Sequence, residues 1–245
     1  MNKQKVSVEY SLIIPCYNEL KSLEPLFESC LSLLENRDDI EVVLVNNGST
    51  DGSEKVMHEL AQKSENYRLK ILTIKENQGY GFGVISGLNS STGSFIGWCH
   101  ADLQTDPTVF LEAINLLNLQ KNPRKSYIKA IRHGRKFRDS IFTYLMTVIE
   151  FFLLGRWMLD INSQPNLFHR DLMKEWKNPP YDFSLDLYSF YIAKKLELSF
   201  VRFPVYFGPR FHGVGHNDRL SSKFKLSFRT IKFSYELRKR LKNAS

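Results

Sequence analysis

Between residues 8 and 99, short apolar runs alternate with segments of helical period, and this alternation restricts the fold more than any other feature. Val8–Ile14 reads as a strand ended by Pro15. Leu20–Leu34 carries apolar residues at helical spacing, and Val42–Val45 is a short continuous apolar run. A turn at Asn46-Asn47-Gly48-Ser49 leads into a helix around Ser53–Lys63. Leu69–Ile74, Gly79–Leu88 and Ser94–Cys99 then follow as strand, helix and strand. Strands covered on both faces need such continuous runs, and a strand–helix alternation builds an open, mainly parallel sheet flanked by helices. Sheets of this kind take ligands beyond the carboxyl ends of their strands, so function is expected in the loops after Ile14, Val45 and Cys99.

The second half is less regular. The patterns predict a helix over Pro107–Leu119, a strand over Ser126–Arg132 and an apolar helix over Asp139–Leu154. They further predict a helix over Phe183–Lys195 and a strand over Leu198–Tyr206 ending near Pro204. The simplest division is one α/β domain over residues 1–218 and a basic amphipathic helix over 219–245. The longest apolar stretch, Ile141 to Leu159, is broken by Glu150, Gly155 and Arg156, short of the roughly 20 residues a spanning helix needs. The N-terminal residues lack the apolar run of a signal peptide, and three cysteines without metal spacing suit a reducing compartment.

Each of the three loops is rich in polar side chains: Pro15-Cys16-Tyr17-Asn18-Glu19, Asn46 to Ser53, and His100 to Pro107. The first two are expected to hold a nucleotide and the third a metal with its phosphates. Asp102 and Gln104 alternate about one residue, so both can turn to one side, and their oxygens suit hard Mg²⁺ or Mn²⁺. His100 is a candidate third ligand. The competing reading makes Asp102 a plain loop carboxylate or a helix cap. Asn47 or Asp51 can hydrogen-bond a base or ribose, or Asp51 can simply cap the helix that follows.

Taken in order, the motifs Pro-x-Tyr-Asn-Glu, Asn-Gly-Ser-Thr-Asp-Gly-Ser, Asn77-Gln78-Gly79 and Ala-Asp-Leu-Gln-x-x-Pro resemble those of glycosyltransferase family 2. The likeness runs to its dolichyl/polyprenyl-phosphate sugar synthase branch. It implies the GT-A fold and inverting transfer from a UDP- or GDP-linked sugar, assisted by Mg²⁺ or Mn²⁺. It places Pro15, Tyr17, Glu19, Asn47, Asp51, Gly79 and Asp102 at the nucleotide, and Asp102 at the metal. His100 stands where the family usually has the first Asp of its Asp-x-Asp, and Asn47 where the branch often has Asp.

The resemblance continues more loosely. Arg132 and Arg138 match arginines kept for an acceptor phosphate, and Asp160–Pro165 matches a later family segment. Pro204-Val205 with Arg210 and Gly213 resembles the closing motif, so Arg210 and His216 are expected to reach the diphosphate or the acceptor phosphate. A lipid phosphate needs no general base. A saccharide hydroxyl, as in cell-surface polysaccharide synthesis, does, and Asp186 is the candidate; otherwise Asp186 is an exposed helix carboxylate.

The net charge is +8, yet residues 1–218 carry 25 basic and 25 acidic side chains. The excess lies in residues 219–245, where Leu220, Phe224, Phe228, Ile231 and Tyr235 recur at helical spacing among nine basic residues. That pattern fits an anionic membrane surface, or a helix packed on the domain or on a partner subunit or second copy. No nucleic-acid motif accompanies it. The expected protein is thus a peripheral enzyme of the inner membrane face. The alternative is a non-catalytic nucleotide-sugar or nucleic-acid binding protein on the same scaffold.

Overall fold

The computed structural model describes residues 7–135, 137–210 and 220–243, with side chains described from 226 to 242 in the last stretch. Its centre is a seven-stranded sheet in the order β3-β2-β1-β4-β6-β5-β7. The strands are β1 (Tyr10–Cys16), β2 (Ile40–Asn47), β3 (Leu69–Ile74), β4 (Phe95–Trp98), β5 (Ser126–His133), β6 (Asn166–His169) and β7 (Ser199–Tyr206). The helices are α1 (Leu23–Leu34), α2 (Ser53–Ser64), α3 (Tyr80–Ser90), α4 (Phe110–Asn118), α5 (Phe137–Leu154), α6 (Ser184–Lys195) and α7 (Leu220–Asn243). The mainly parallel sheet flanked by helices is the one expected from the alternation.

One strand was not expected. β6 runs antiparallel to both β4 and β5. It holds only four residues, too few for the period-2 pattern to stand out. Because it reverses direction between two neighbours, β5 again runs parallel to β4, and β7 pairs parallel with β5. The carboxyl ends of all six remaining strands therefore meet along one edge.

Pro15 lies inside β1 rather than ending it, paired with Val45. The pairing of β1 with β4 stops at Ile13, where the Cys99 amide donates to the Ile13 carbonyl at 3.1 Å. Two residues on, Pro15 turns its nitrogen to that same side, where β4 has ended, so no ladder bond is lost. Pro204 sits in the edge strand β7.

Two apolar layers cover the sheet. One joins Leu12, Ile14 and Leu44 to α1 and α4; the other joins Ile13, Val45 and Trp98 to α3 and α6. The second reaches α7 through Leu237, with Phe233 and Leu241 packed beside it. The face of α7 turned to the domain is thus Phe233, Ser234, Leu237 and Leu241. Of the stripe read from the sequence, Phe228 and Tyr235 are exposed, and the side chains of Leu220 and Phe224 lie outside those described. Among the described residues, no helix is long and apolar enough to cross a membrane.

Candidate active site

The first two loops are stitched together by short polar side chains. Asn18 takes a left-handed conformation (φ 55°). Its backbone amide donates to Ser49 Oγ at 3.1 Å, and its Oδ1 accepts from the Thr50 amide at 2.8 Å. Asp51 accepts from the Leu20 amide at 3.1 Å through one oxygen, and from the Ser53 amide and hydroxyl at 3.0 and 2.5 Å through the other. Burial alone would raise the Asp51 carboxyl, but the bonds from Ser53 and Leu20 outweigh it and hold it below the usual range. Asp51 therefore opens α2 and fastens loop one to loop two at once.

Asn47 is buried and donates from Nδ2 to the Gly79 carbonyl at 3.0 Å. Its Oδ1 has no partner among the described residues. Gly79 has φ 110°, and a Cβ there would strike the Tyr181 carbonyl, so the turn into α3 requires glycine. Tyr17 stands 45% exposed at the rim, free to lie against a planar base.

At the third loop, Arg210 spans two acids. Its Nη2 lies 3.0 Å from Asp102 Oδ2, and its Nη1 3.6 Å from Glu19 Oε1. Burial pushes the Glu19 carboxyl up, and Arg210 is the strongest influence opposing it. Gln104 is tied to its neighbours through its two donors. Its backbone amide donates to Asp102 Oδ1 at 3.2 Å, and its Nε2 donates to the Gly208 carbonyl at 3.0 Å. The Gly208 amide returns a bond to the Gln104 carbonyl at 2.9 Å, clamping the segment after β7 onto the loop. The cap before α4 is Asp106, which accepts from the Thr108 amide and hydroxyl; Asp102 is not the cap. His100 is half-buried with its ring 5.5 Å from that of Tyr80. Burial pushes its pKa down, which favours the neutral imidazole.

Among the described residues, no group of three or more His, Cys, Asp or Glu side chains is placed to hold a metal ion. Asp102 does offer a buried carboxylate that already faces a cation, the Arg210 guanidinium. One carboxylate is the usual protein share of a Mg²⁺ or Mn²⁺ site whose other oxygens come from phosphates and water. The residues fit an ion that arrives with a diphosphate, not an all-protein cage.

On the other side of the edge, Asp160 gathers two arginines. It accepts from the Arg132 amide at 2.8 Å and Nε at 3.0 Å, and also bonds Arg132 Nη2. Arg135 Nη1 lies 3.7 Å from the same carboxylate. Both guanidinium groups sit over the Phe207 ring, at 5.0 and 5.8 Å. Two cations on one carboxylate leave a net positive charge. Arg138 is exposed in the first turn of α5, and His216 lies outside the described residues.

Asp186 is 1% exposed, so it is not the exposed helix carboxylate of the competing reading. It accepts from Trp98 Nε1 at 3.1 Å, Gln164 Nε2 at 3.2 Å and Asn166 Nδ2 at 3.4 Å. Sequence reasoning missed Trp98, Asn166, Arg135 and the buried Lys129 that join this edge. Lys129 did carry a signal, being a lone charge inside the apolar run Tyr127 to Ile131. Asn166 carried none, because its strand was not foreseen.

A family model described as glycosyl transferase family 2 matches residues 11–197. The human dolichyl-phosphate beta-glucosyltransferase is 30% identical over 179 residues, covering 66% of this chain and 55% of that protein. The undecaprenyl-phosphate 4-deoxy-4-formamido-L-arabinose transferase of Proteus mirabilis is 34% identical over 98 residues, covering 40% of this chain and 30% of that protein. The chain thus spans about a third to a half of the length of these curated relatives. Among solved structures, glucosyl-3-phosphoglycerate synthase from Mycobacterium tuberculosis, in complex with Mn²⁺, UDP and glucosyl-3-phosphoglycerate, superposes with a TM-score of 0.67. Its identity is 16%, covering 94% of this chain and 80% of that one. At that identity the likeness is one of fold, and it bears out the GT-A arrangement.

Proposed function

The chain belongs to glycosyl transferase family 2, and on that premise we propose that it moves a sugar from a nucleotide-sugar donor to polyprenyl phosphate or a related lipid-linked acceptor. The observation that carries the reading is the Asp102–Arg210–Glu19 bridge at the carboxyl edge of the sheet. It sets a cation against two acids where a diphosphate and its counter-ion would enter. In this reading Arg210 turns from the carboxylates to the diphosphate oxygens, a geometry its planar fork suits. Asp102 would hold Mg²⁺ or Mn²⁺, which when bound supplies positive charge for the leaving diphosphate. Tyr17 would cover the base, while Asn47, Asp51 and Gly79 shape the pocket behind it. Pro15 and Glu19 complete it.

The acceptor is the finer question. Asp186 is buried under three donors and so is poorly placed to take a proton from a hydroxyl. A phosphate is already an anionic nucleophile and needs no base, and the Arg132–Arg135 pair offers it positive charge. Attack opposite the leaving diphosphate, in a single displacement, would invert the anomeric carbon. The human and Proteus mirabilis relatives are named for dolichyl and undecaprenyl phosphate, which supports the same class of acceptor.

A bilayer surface is the matching partner. The outer face of α5 carries Phe137, Ile141, Tyr144, Leu145 and Phe152 exposed, while its buried residues are Thr147 and Glu150. A helix that is polar inward and apolar outward seeks an apolar environment outside the domain. The basic residues of α7 beside it favour anionic lipid. Three free, buried cysteines accord with a reducing compartment, so the face proposed is the cytoplasmic one.

The test is nucleotide-sugar turnover with Mn²⁺ or Mg²⁺ across UDP- and GDP-linked donors. Asp102→Ala is expected to lower kcat by about a hundredfold or more, the scale of removing one charge-stabilising group. Unchanged turnover in that variant would overturn the metal role of Asp102, and no turnover in the wild type would leave the non-catalytic binding protein as the better reading.

A further inference from the structure

Below the carboxyl edge of the sheet, a buried lysine is joined to Asp186 through one amide. Lys129 is 0% exposed in the middle of β5, and the antiparallel register sets it directly opposite Asn166 of β6. Its Nζ donates to the Ser163 carbonyl at 2.7 Å and to Asn166 Oδ1 at 2.8 Å, and lies 5.4 Å from the centre of the Phe190 ring. An apolar residue would fill this strand position at lower cost, since a buried ammonium is tolerated only with compensating charge. Among the described residues no carboxylate touches it. The charge that most favours its protonated form is Asp186, on the far side of Asn166.

The chemistry of the two ends fixes the amide between them. An ammonium only donates and a carboxylate only accepts, so Asn166 has one orientation, Oδ1 to Lys129 and Nδ2 to Asp186. The Tyr127 hydroxyl adds a second donor to Oδ1 at 3.4 Å. From Asp186 the chain continues through Gln164 Nε2, which also lies 2.5 Å from the Tyr80 hydroxyl, and the Tyr80 ring meets His100 in the third loop. A neutral amine could accept as well as donate, and the Lys129 end would then no longer fix Asn166, leaving only the Asp186 end to do so.

We propose that Lys129 and Asn166 are positioning residues for the transfer reaction: the ammonium helps to lock the Asn166 amide and thereby to fix the Asp186 carboxylate beside Trp98 and Gln164. The proposal rests on the glycosyltransferase reading for its effect on rate, not for the lock itself. Burial lowers the Lys129 pKa to about 7, so the Lys129 half of the lock weakens near neutral pH. The other groups that face this pair are Arg202 of β7, Arg132 with its partner Asp160, His100, and the phenols of Tyr80 and Tyr127. Arg202 is committed to the Lys129, Ala130 and Leu159 carbonyls, and Arg132 to Asp160.

Two readouts test this. The first is the titration of the Lys129 side chain by ¹³C NMR in the unliganded protein, assigned with Lys129→Met. Asp186→Asn and Asn166→Leu are both expected to displace its midpoint downward by about one pH unit or more, as loss of a coupled charge does. An identical midpoint in all three proteins overturns the lock, whatever the enzyme transfers. The second is the pH dependence of kcat. The wild type should lose rate as the pH rises through about 7. Lys129→Met should lose that limb and run about 10–100-fold slower with donor KM within about twofold, the usual scale for a residue supporting a site from behind. Asn166→Leu serves the same purpose if Lys129→Met does not fold. A retained limb, or a raised KM at unchanged kcat, overturns the assignment.

Discussion

Arg210 is the side chain on which the site turns, because it holds Asp102 and Glu19 in the place a metal–diphosphate pair would take. Several flanking residues serve the scaffold at the same time. Asp51 fastens two loops, Asn47 holds the glycine turn, and Gln104 clamps the segment after β7. Motif order pointed to these positions, but spacing alone does not say which atom of each is already committed. Glu150 illustrates the converse, a buried group that no motif announces. It is 0% exposed on α5, and burial pushes its carboxyl up to about 7, with only the Ser234 hydroxyl of α7 opposing the shift. Its folded pKa thus lies above the unfolded one. The stability it permits is fully present below the unfolded pKa of 4.5 and is lost as the pH rises through about 7. Glu150→Met should remove that loss. In urea melts, the variant should gain about 2–3 kcal/mol over the wild type between about pH 5 and about pH 9. Parallel pH dependences in the two proteins would contradict it.

At the scale of elements, the first four strands and three helices were legible because strands buried on both faces leave continuous apolar runs. β6 was not, since four residues between irregular segments give no period. The inward face of α7, Phe233, Leu237 and Leu241, was not read, because the stripe taken from the sequence is a different one, with Phe228 and Tyr235 exposed. Its sequence offers two overlapping apolar stripes, and only the contacts of Leu237 with the domain choose between them. The helix α5 is the element whose exposure most needs explaining. Phe137 and Phe152 stand 78% and 74% exposed on it. Replacing both by Ser should weaken binding to phosphatidylglycerol vesicles by at least about tenfold, since each ring withdrawn from lipid forfeits roughly 1.5–3 kcal/mol. Turnover of the nucleotide sugar in lipid-free buffer should stay unchanged. Equal vesicle binding by variant and wild type, measured by co-sedimentation, would remove α5 from the membrane contact.

At the scale of the whole molecule, one parallel edge collects the three motif-bearing loops, the Arg132–Arg135 pair and Arg210. The reversed strand β6 is what makes this possible, by returning β5 and β7 to the direction of β4. The net charge of +8 is divided in the same spirit: residues 1–218 balance, and the excess rides on the last 27 residues. The three loops of this edge were readable from motif order, and the Asp160–Arg132–Arg135 cluster only in outline, because its pairings join residues far apart in the chain. Transfer of labelled sugar from a panel of UDP- and GDP-linked donors tests the whole most directly, with Mn²⁺ and with undecaprenyl phosphate present or absent. The expected result is label passing into the organic phase only when the lipid phosphate is supplied, and not in Asp102→Ala. Label released solely as water-soluble sugar, at a rate the lipid does not alter, would contradict a lipid phosphate acceptor.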